Sequence, residues 1–461
     1  MIEDILQPCT RFFDPGVQTV LRGQESRLRR IVITQGNLVC NVRSEESGIS
    51  AKVYKEGVSG FASIADYSED GAAKVLKEAK SNASHLYGFA SEHKGALPEV
   101  RRESLNSKKT IIDTTQKHLV DLCMEIDSYI SSKYQSLSSR TVVYREDTME
   151  KVIYTSDAGN GHVSYPRFCI YVVLVMESAS GQPVELSESF AGCGHVDEFY
   201  TDLSPIYEGI DKLYIQLQDK ANGVYADAGM HTVILDPRVA GMIAHEAVGH
   251  TVEADLVKGG SVAGPNLGKK VASDLISIVD YASTVNGEMA PLPVYLDDEG
   301  VAAEDAILVE NGILKGYMHD RASAQMYGVR PQGNARGYSF SDEPLIRMRN
   351  TLVLPGQDKL EDMIASVDNG YYLMNTSNGQ ADLTGEFMFG INLGYEIRNG
   401  KLGRAILDTT VSGVAFEMLK TVSMVSDEVH WSLSGTCGKK QPMAVSMGGP
   451  AIKCQISIGG R

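Results

Sequence analysis

Residues 243–255, IAHEAVGHTVEAD, place two histidines and three carboxylates in thirteen positions. Imidazoles beside a carboxylate are what a divalent-metal site with its own general base requires. The spacing is the difficulty. Each residue of a regular helix turns by about 100°, so side chains four apart diverge by about 40° and can share an ion, as in H-E-x-x-H. His245 and His250 are five apart, which leaves their rings about 140° apart on a straight helix. A shared metal therefore requires the helix to bulge, overwind or end between them, and Gly249 is the residue type that permits this. Glu246 lies four before His250 and faces the same side, the position of a base acting on a metal-activated water. Without a third ligand, the same residues would read equally well as the polar edge of a buried helix.

The third ligand is sought among the other histidines, acids and cysteines. Cys454 alternates with Ile452, Ile456 and Ile458, which marks one apolar strand face and a core thiol. Cys437 sits in LSGTCGKKQP, between Gly435 and Gly438 and followed by Lys439 and Lys440. Glycines allow close approach to an ion and lysines favour thiolate, so Cys437 is the preferred ligand. Glu253, three after His250, is either a competing oxygen ligand or a carboxylate that holds a ligand imidazole. Two imidazoles, a thiolate and an open water position suit zinc.

Other residues carry weaker cases. His319 and Arg321 in GYMHDR either line the site or end a surface strand. Arg336 and Tyr338 in GNARGYSF either contact a substrate carbonyl and its oxyanion or stabilise a loop. Asp297, Asp298 and Glu299 lack EF-hand spacing and read as a solvated turn. The strand expected through VHWSLSGTCG, leading into Cys437, would offer Ser434 and Thr436 as an edge for an extended peptide.

These residues need a frame. A short helix is expected at Ile2–Leu6, then a strand meander with Ile31 and Ile33 alternating, and turns at Gln35-Gly36-Asn37 and Ser47-Gly48. Helical spacing marks 69–92, Ile112–Tyr134 and Ile206–Lys220. Strand-like runs lie between the last two. His231–Leu235 is a short strand, Asp236 a helix N-cap and Pro237 the first helical position. Val239, Met242, Ile243, Ala247 and Val248 are the expected buried face of the histidine helix. Beyond Leu256 the texture becomes Gly-rich and mainly β, with helical stretches at 358–366 and 414–421. The chain reads as α+β: an N-terminal α/β domain with antiparallel sheet and long helices over 1–230, and a β-rich domain over 231–461 that carries the histidine helix and Cys437.

Bulk properties exclude several classes. With 43 basic and 59 acidic residues in 461, the net charge is −16. Nucleic acid and anionic membranes are therefore not expected partners. No apolar run approaches membrane-spanning length, and MIEDILQPCTRFFDPG carries acids where a secretion leader carries basic residues. Seven scattered cysteines without C-x-x-C pairs read as reduced thiols, and the chain as cytoplasmic.

HEAVGHTVEAD, SGTCGKKQP, GVSGFAS at 57–63, GYMHDR, GNARGYSF and RMRNTLVLPG at 347–356 together make the sequence similar to the TldD/PmbA family of metallopeptidases, its TldD branch in particular. The resemblance implies a zinc ion on His245, His250 and Cys437, with Glu246 as the catalytic glutamate. It implies an N-terminal α/β domain, a β-rich C-terminal domain and a dimer, with a TldE/PmbA-like subunit or with itself. It implies cleavage of unfolded peptides lying as an added strand beside the active site. The noncatalytic branch lacks H-E-x-x-x-H. LVKGGSV at 256–262 departs from the commoner pattern, and the stretch before the first strands looks short. Two rival readings stand beside the zinc peptidase: a nonhydrolytic peptide-binding or scaffold subunit, and a metal-dependent amidase of small molecules.

Overall fold

A computed structural model describes residues 2–90, 95–100, 104–107 and 114–459. Its first sheet has seven strands drawn from the first 192 residues, in the order 58–64, 37–55, 18–34, 139–155, 160–177, with 104–107 and 183–192 both paired to 160–177. All pairings are antiparallel except that of Ser104–Ser107. Gln35 and Gly36 both adopt positive φ between the first two strands, the hairpin geometry whose twist matches that of its strands. The turn expected at Ser47-Gly48 is absent. Asn37–Lys55 runs unbroken, and Gly48 instead accommodates the Phe340 ring, which a Cβ would strike.

Helices cover this sheet. Ile2–Cys9 and Glu69–Tyr87 pack over Leu21, Ile49 and Val53. The second is capped by the Ser68 side chain, which accepts from Gly71 N. Gln116–Lys133 and Ser204–Ala221 cover Ile31, Ile33, Val142 and Ile170, with Leu119, Cys123, Ile126, Ile206, Ile210 and Leu213 as their buried stripes. The first long helix ends at Tyr87 and the second begins at Gln116, so 88–90 and 114–115 are not helical as expected; the expected positions 91–92 and 112–113 lie outside the described residues.

From Gly229 onward the chain builds further sheets, one of them again seven-stranded. Strand Gly229–Leu235 pairs with Asn369–Ala381 on one side and Ile452–Ile458 on the other. Ile452–Ile458 meets Thr409–Val414, which meets Glu386–Arg398, which returns to Asn369–Ala381. The ladder thus closes into a ring. A six-stranded sheet lies beside it, with His430–Ser432 at one edge, paired only to Ser446–Gly449. The helix beginning at Pro237 is wedged between the two. Val239, Ile243, Ala247 and Val248 share one core with Val233, Phe389, Ile391, Cys454 and Ile456. Leu360–Ala365 and Ala415–Lys420 are the short helices expected from sequence, and Arg321–Tyr327 is an additional one.

Asp297, Asp298 and Glu299 are buried, not a solvated turn. Asp298 is met by Arg22 at 3.0 Å and by Lys151 at 2.7 Å, and Glu299 by Lys52 at 2.9 Å. All three cations come from the first sheet, so these carboxylates fasten it to the second half.

Candidate active site

The histidine helix starts as read. The Asp236 side chain accepts from Val239 N at 2.8 Å, and Pro237 occupies the first turn. Regular α-helix holds for Pro237–Ile243. Ala244–Gly249 is then a π-helix, and His250–Val252 a 3₁₀ turn. An i→i+5 ladder brings residues five apart onto one face, as the α ladder does for residues four apart. The two rings face each other edge-on with centroids 5.5 Å apart. The deformation that the spacing demanded is this widened turn.

Gly249 serves it differently from the sequence reading. Its φ of −53° and ψ of −50° are ordinary right-handed values. What excludes a side chain is the sulfur of Met348, which a Cβ would overlap. Gly249→Ala is therefore expected to destabilise the fold by about 1–3 kcal/mol, as overpacking does, measured by urea denaturation. Met348→Ala in the same background is expected to recover part of that loss.

Three ligand atoms converge. Those of His245, His250 and Cys437 all lie within 4.8 Å of one another, and Cys437 Sγ is 3.2 Å from His250 Nε2. Cys437 lies on strand Thr436–Lys439, in a hairpin with Gln441–Ala444. Arg347, fully buried, holds this hairpin by donating to the carbonyls of Cys437 and Gln441, both at 2.8 Å. Glu253 Oε2 lies 2.9 Å from His250 Nδ1 and 3.1 Å from Lys439 Nζ. That pairing directs Nε2 of His250 toward Cys437. Glu246 reaches over the cluster, with carboxylate oxygens 4.0 Å from His245 Nε2 and 3.6 Å from His250 Nε2.

The donor set fits zinc. His245 is wholly buried, yet neither of its ring nitrogens has a hydrogen-bond partner among the described residues. A buried imidazole without partners is costly unless it ligates something. Neighbouring ligands of tetrahedral zinc lie about 3.3–3.8 Å apart, a spacing this cluster reaches with small side-chain adjustments.

Protonation follows the same geometry. Burial, the nearby His250 and Arg347 push His245 well below the usual imidazole range, so it is neutral. Burial would also depress His250, but its bonds to Cys437 and Glu253 outweigh that and raise it to about 10. Ligation at Nε2 therefore means giving up a proton. Burial raises Glu246; His250 opposes the rise and Glu253 adds to it.

The remaining candidates have other partners. Arg321 donates to the Pro98 carbonyl and to Asp157, and His319 lies 3.1 Å from Ser323 Oγ. Arg336 spends its guanidinium on the carbonyls of Met348 and Ala444, at 2.8 and 3.0 Å. Tyr338 packs against the cluster around Cys437 and Met443, and its hydroxyl accepts from Arg145. The single strand expected through VHWSLSGTCG is two short ones, His430–Ser432 and Thr436–Lys439. Between them the Ser434 carbonyl accepts from the Tyr171 hydroxyl at 3.0 Å, and that of Gly435 from Arg167. These bonds turn 433–435 out of the sheet. Thr436 pairs with Ala444 in the hairpin. Arg347 and Met348 support the site but were not read from sequence. RMRN offered only a cluster of cations with no visible partner.

Comparison with known proteins gives the family. Residues 228–460 match the PmbA/TldA metallopeptidase C-terminal domain, and residues 20–83 match PmbA/TldA metallopeptidase domain 1. A zinc metalloprotease TldD homolog of Saccharolobus solfataricus is 29% identical over 393 residues, 83% of this chain and 85% of that one. A metalloprotease TldD homolog of Buchnera aphidicola is 42% identical over 238 residues, 50% of this chain and 49% of its relative. Among solved structures, TldE from Thermococcus kodakarensis superposes with a TM-score of 0.78 at 19% identity, covering all of both chains. A putative modulator of a DNA gyrase from Thermotoga maritima gives 0.77, also at 19%, covering 98% of this chain and 100% of the other. At that identity the structures speak for the fold alone. The sequence matches define a metallopeptidase. The chain belongs to the PmbA/TldD family. Among the described residues no helix is long and apolar enough to cross a membrane.

Proposed function

We propose that this chain is a catalytic, TldD-type zinc peptidase acting on unfolded peptides in the cytoplasm. The observation that carries this reading is the convergence of His245, His250 and Cys437 beneath the Glu246 carboxylate. A zinc ion there supplies Lewis acidity, acidifying water and polarising a carbonyl. The protein supplies the rest. Glu246 accepts the proton of the attacking water and returns it to the leaving nitrogen. Glu253 and Lys439 fix the ring of His250, and Arg347 fixes the hairpin of Cys437. The scaffold reading gains nothing from a buried His245 whose nitrogens have no other use.

The substrate side rests on access. Glu246 and His250 open into a cleft of about 940 Å³, lined by Gly379–Leu383 and by Gly438 and Lys439. Strand Asn369–Ala381 pairs with Gly229–Leu235 only as far as Leu373, so the stretch lining the cleft is open to an added strand on that side. A dimer, with a TldE-like subunit or with a second copy, is part of this reading.

Zinc-loaded protein is expected to cleave unstructured peptides and to leave the same sequence intact when it is locked in a stable fold, with a chelator abolishing cleavage. Equal cleavage of folded and unfolded forms would remove the extended-substrate reading. Loss of both zinc and chelator sensitivity without loss of cleavage would remove the metal. Glu253→Gln is expected to weaken zinc binding about 10–100-fold, the usual effect of losing a partner of a ligand histidine, read by competition with a chromophoric chelator.

A further inference from the structure

Arg347 is fully buried and has no carboxylate partner among the described residues. Its guanidinium donates only to carbonyls, those of Cys437 and Gln441 at 2.8 Å and that of Lys439 at 3.4 Å. A buried charge left unneutralised is costly, and clamping a hairpin needs hydrogen bonds but no net charge. A cation on the Cys437 carbonyl does something further. It polarises the Cys437–Gly438 peptide and makes the Gly438 N–H a stronger donor.

The register of the hairpin fixes where that N–H points. Thr436 lies opposite Ala444, so Gly435 lies opposite Val445, and Val445 N donates to the Gly435 carbonyl at 3.2 Å. Hydrogen-bonded and unbonded pairs alternate along an antiparallel ladder. Cys437–Met443 is then a bonded pair and Gly438–Pro442 an unbonded one. Pro442, with no N–H to give, suits that place. The carbonyl of Ala444, also in an unbonded pair, points outward and accepts from Arg336 at 3.0 Å. By the same alternation the Gly438 N–H points off the opposite edge. The hairpin is a sheet of two strands, so no third strand pairs there among the described residues. The edge borders the large cleft. Gly438 lines it with Glu246 and His250, and a Cβ at Gly438 would meet nothing within 4 Å. Cys437 Sγ and the Glu246 carboxylate both converge on His250 Nε2, at 3.2 and 3.6 Å. The Gly438 amide is one peptide unit from that point.

We infer that the backbone N–H of Gly438 is a catalytic donor that stabilises the oxyanion formed when the peptide carbonyl is attacked. This rests on the peptidase reading above. The step balances with water alone. The water oxygen adds to the carbonyl carbon, its proton passes to Glu246, and the carbonyl π pair moves onto the oxygen facing Gly438. The pair then returns, the C–N bond breaks and the nitrogen leaves with the proton from Glu246. Arg336, whose type suggested this role, spends its guanidinium on two carbonyls instead.

The test uses the zinc-loaded full-length chain. Gly438→Pro deletes the donor at an edge position opposite an existing proline. Cys437 before it is already in a strand, the conformation that a following proline favours. The variant is expected to hold zinc within a few fold of the parent, by chelator competition, and to lose about 10²–10³-fold in kcat with little change in KM, the usual effect of losing one oxyanion donor. Gly438→Ala restores the N–H and is expected to recover about tenfold or more of that loss. A second measurement needs no substitution. Only Cys193 and Cys437 are followed by glycine, so isotope labels on cysteine carbonyl carbon and glycine nitrogen single out the amides of Gly194 and Gly438 by NMR. A saturating phosphinic peptide, whose tetrahedral phosphorus bears an anionic oxygen, is expected to move the Gly438 proton downfield and leave Gly194 in place. A zinc-loaded proline variant with undiminished kcat, or a Gly438 amide that does not move, would overturn the donor and leave the peptidase standing. No peptide cleavage by the zinc-loaded parent would overturn the peptidase reading, and this inference with it.

Discussion

Glu246→Gln is expected to bind zinc as the parent does and to lose about 10²–10⁴-fold in kcat, the usual contribution of a general base. The carboxylate is placed for that role. It sits 3.6 Å from His250 Nε2 and 4.0 Å from His245 Nε2, is absent from the converging set and opens into the large cleft. Burial lifts its affinity for a proton, which brings a carboxylate closer to the range where it can both take and return one. Glutamine keeps the shape and removes the basicity. Zinc stoichiometry and single-turnover cleavage, measured on the same sample, separate the two properties. A zinc-loaded variant that turns over normally would show that the proton goes elsewhere.

Cys437→Ser is expected to cost more than a hundredfold in zinc affinity, beyond the roughly 10–100-fold typical of an outer partner, and activity with it. Serine keeps the volume but stays protonated, so it offers a weak alcohol where the site needs an anion. Cys454→Ser is the matched control. That thiol is 1% exposed and burial pushes it up to about 12, so it is not available as a thiolate. Its serine variant is expected to retain zinc and to lose stability by burying a hydroxyl in an apolar core. Zinc retained in the first variant and lost in the second would reverse the assignment of the ligand.

The two cysteines show what the sequence could reveal. Strand alternation around Cys454 and flanking glycines around Cys437 are local signals, and they separated a core thiol from a converging one. The histidine pair was legible in the same way, because a five-residue spacing admits few helical solutions. The acids at 297–299 were misread because nothing nearby in the chain announces their partners. Arg22 lies 276 residues from Asp298, and Lys52 lies 247 from Glu299. Arg347 was passed over for the same reason: its acceptor, the carbonyl of Cys437, is 90 residues away. His319, Arg321 and Arg336 had the residue types of a site. Which neighbours take up their polar atoms is a tertiary fact that no spacing rule reports. The break between His430–Ser432 and Thr436–Lys439 likewise depends on Tyr171 and Arg167, which reach across from the first sheet.

A π turn is what an α-helix becomes when it takes in one extra residue without unwinding. The segment Ala244–Gly249 can therefore be treated as an insertion, and insertions can be reversed. Deleting one residue between Glu246 and His250 would restore four-residue spacing and a regular helix, with the two imidazoles still on a common side. Because the widened turn takes up its extra residue locally, the chain beyond His250 would keep nearly the same direction, and Glu253 would stay within reach of His250 and Lys439. The difference would fall on the segment itself: Ala247, Val248 and Gly249 would become two residues, and with the third would go either a contact with the core or the fit beside Met348. A shortened helix would thus keep its two imidazoles aligned with the hairpin of Cys437 and give up packing instead.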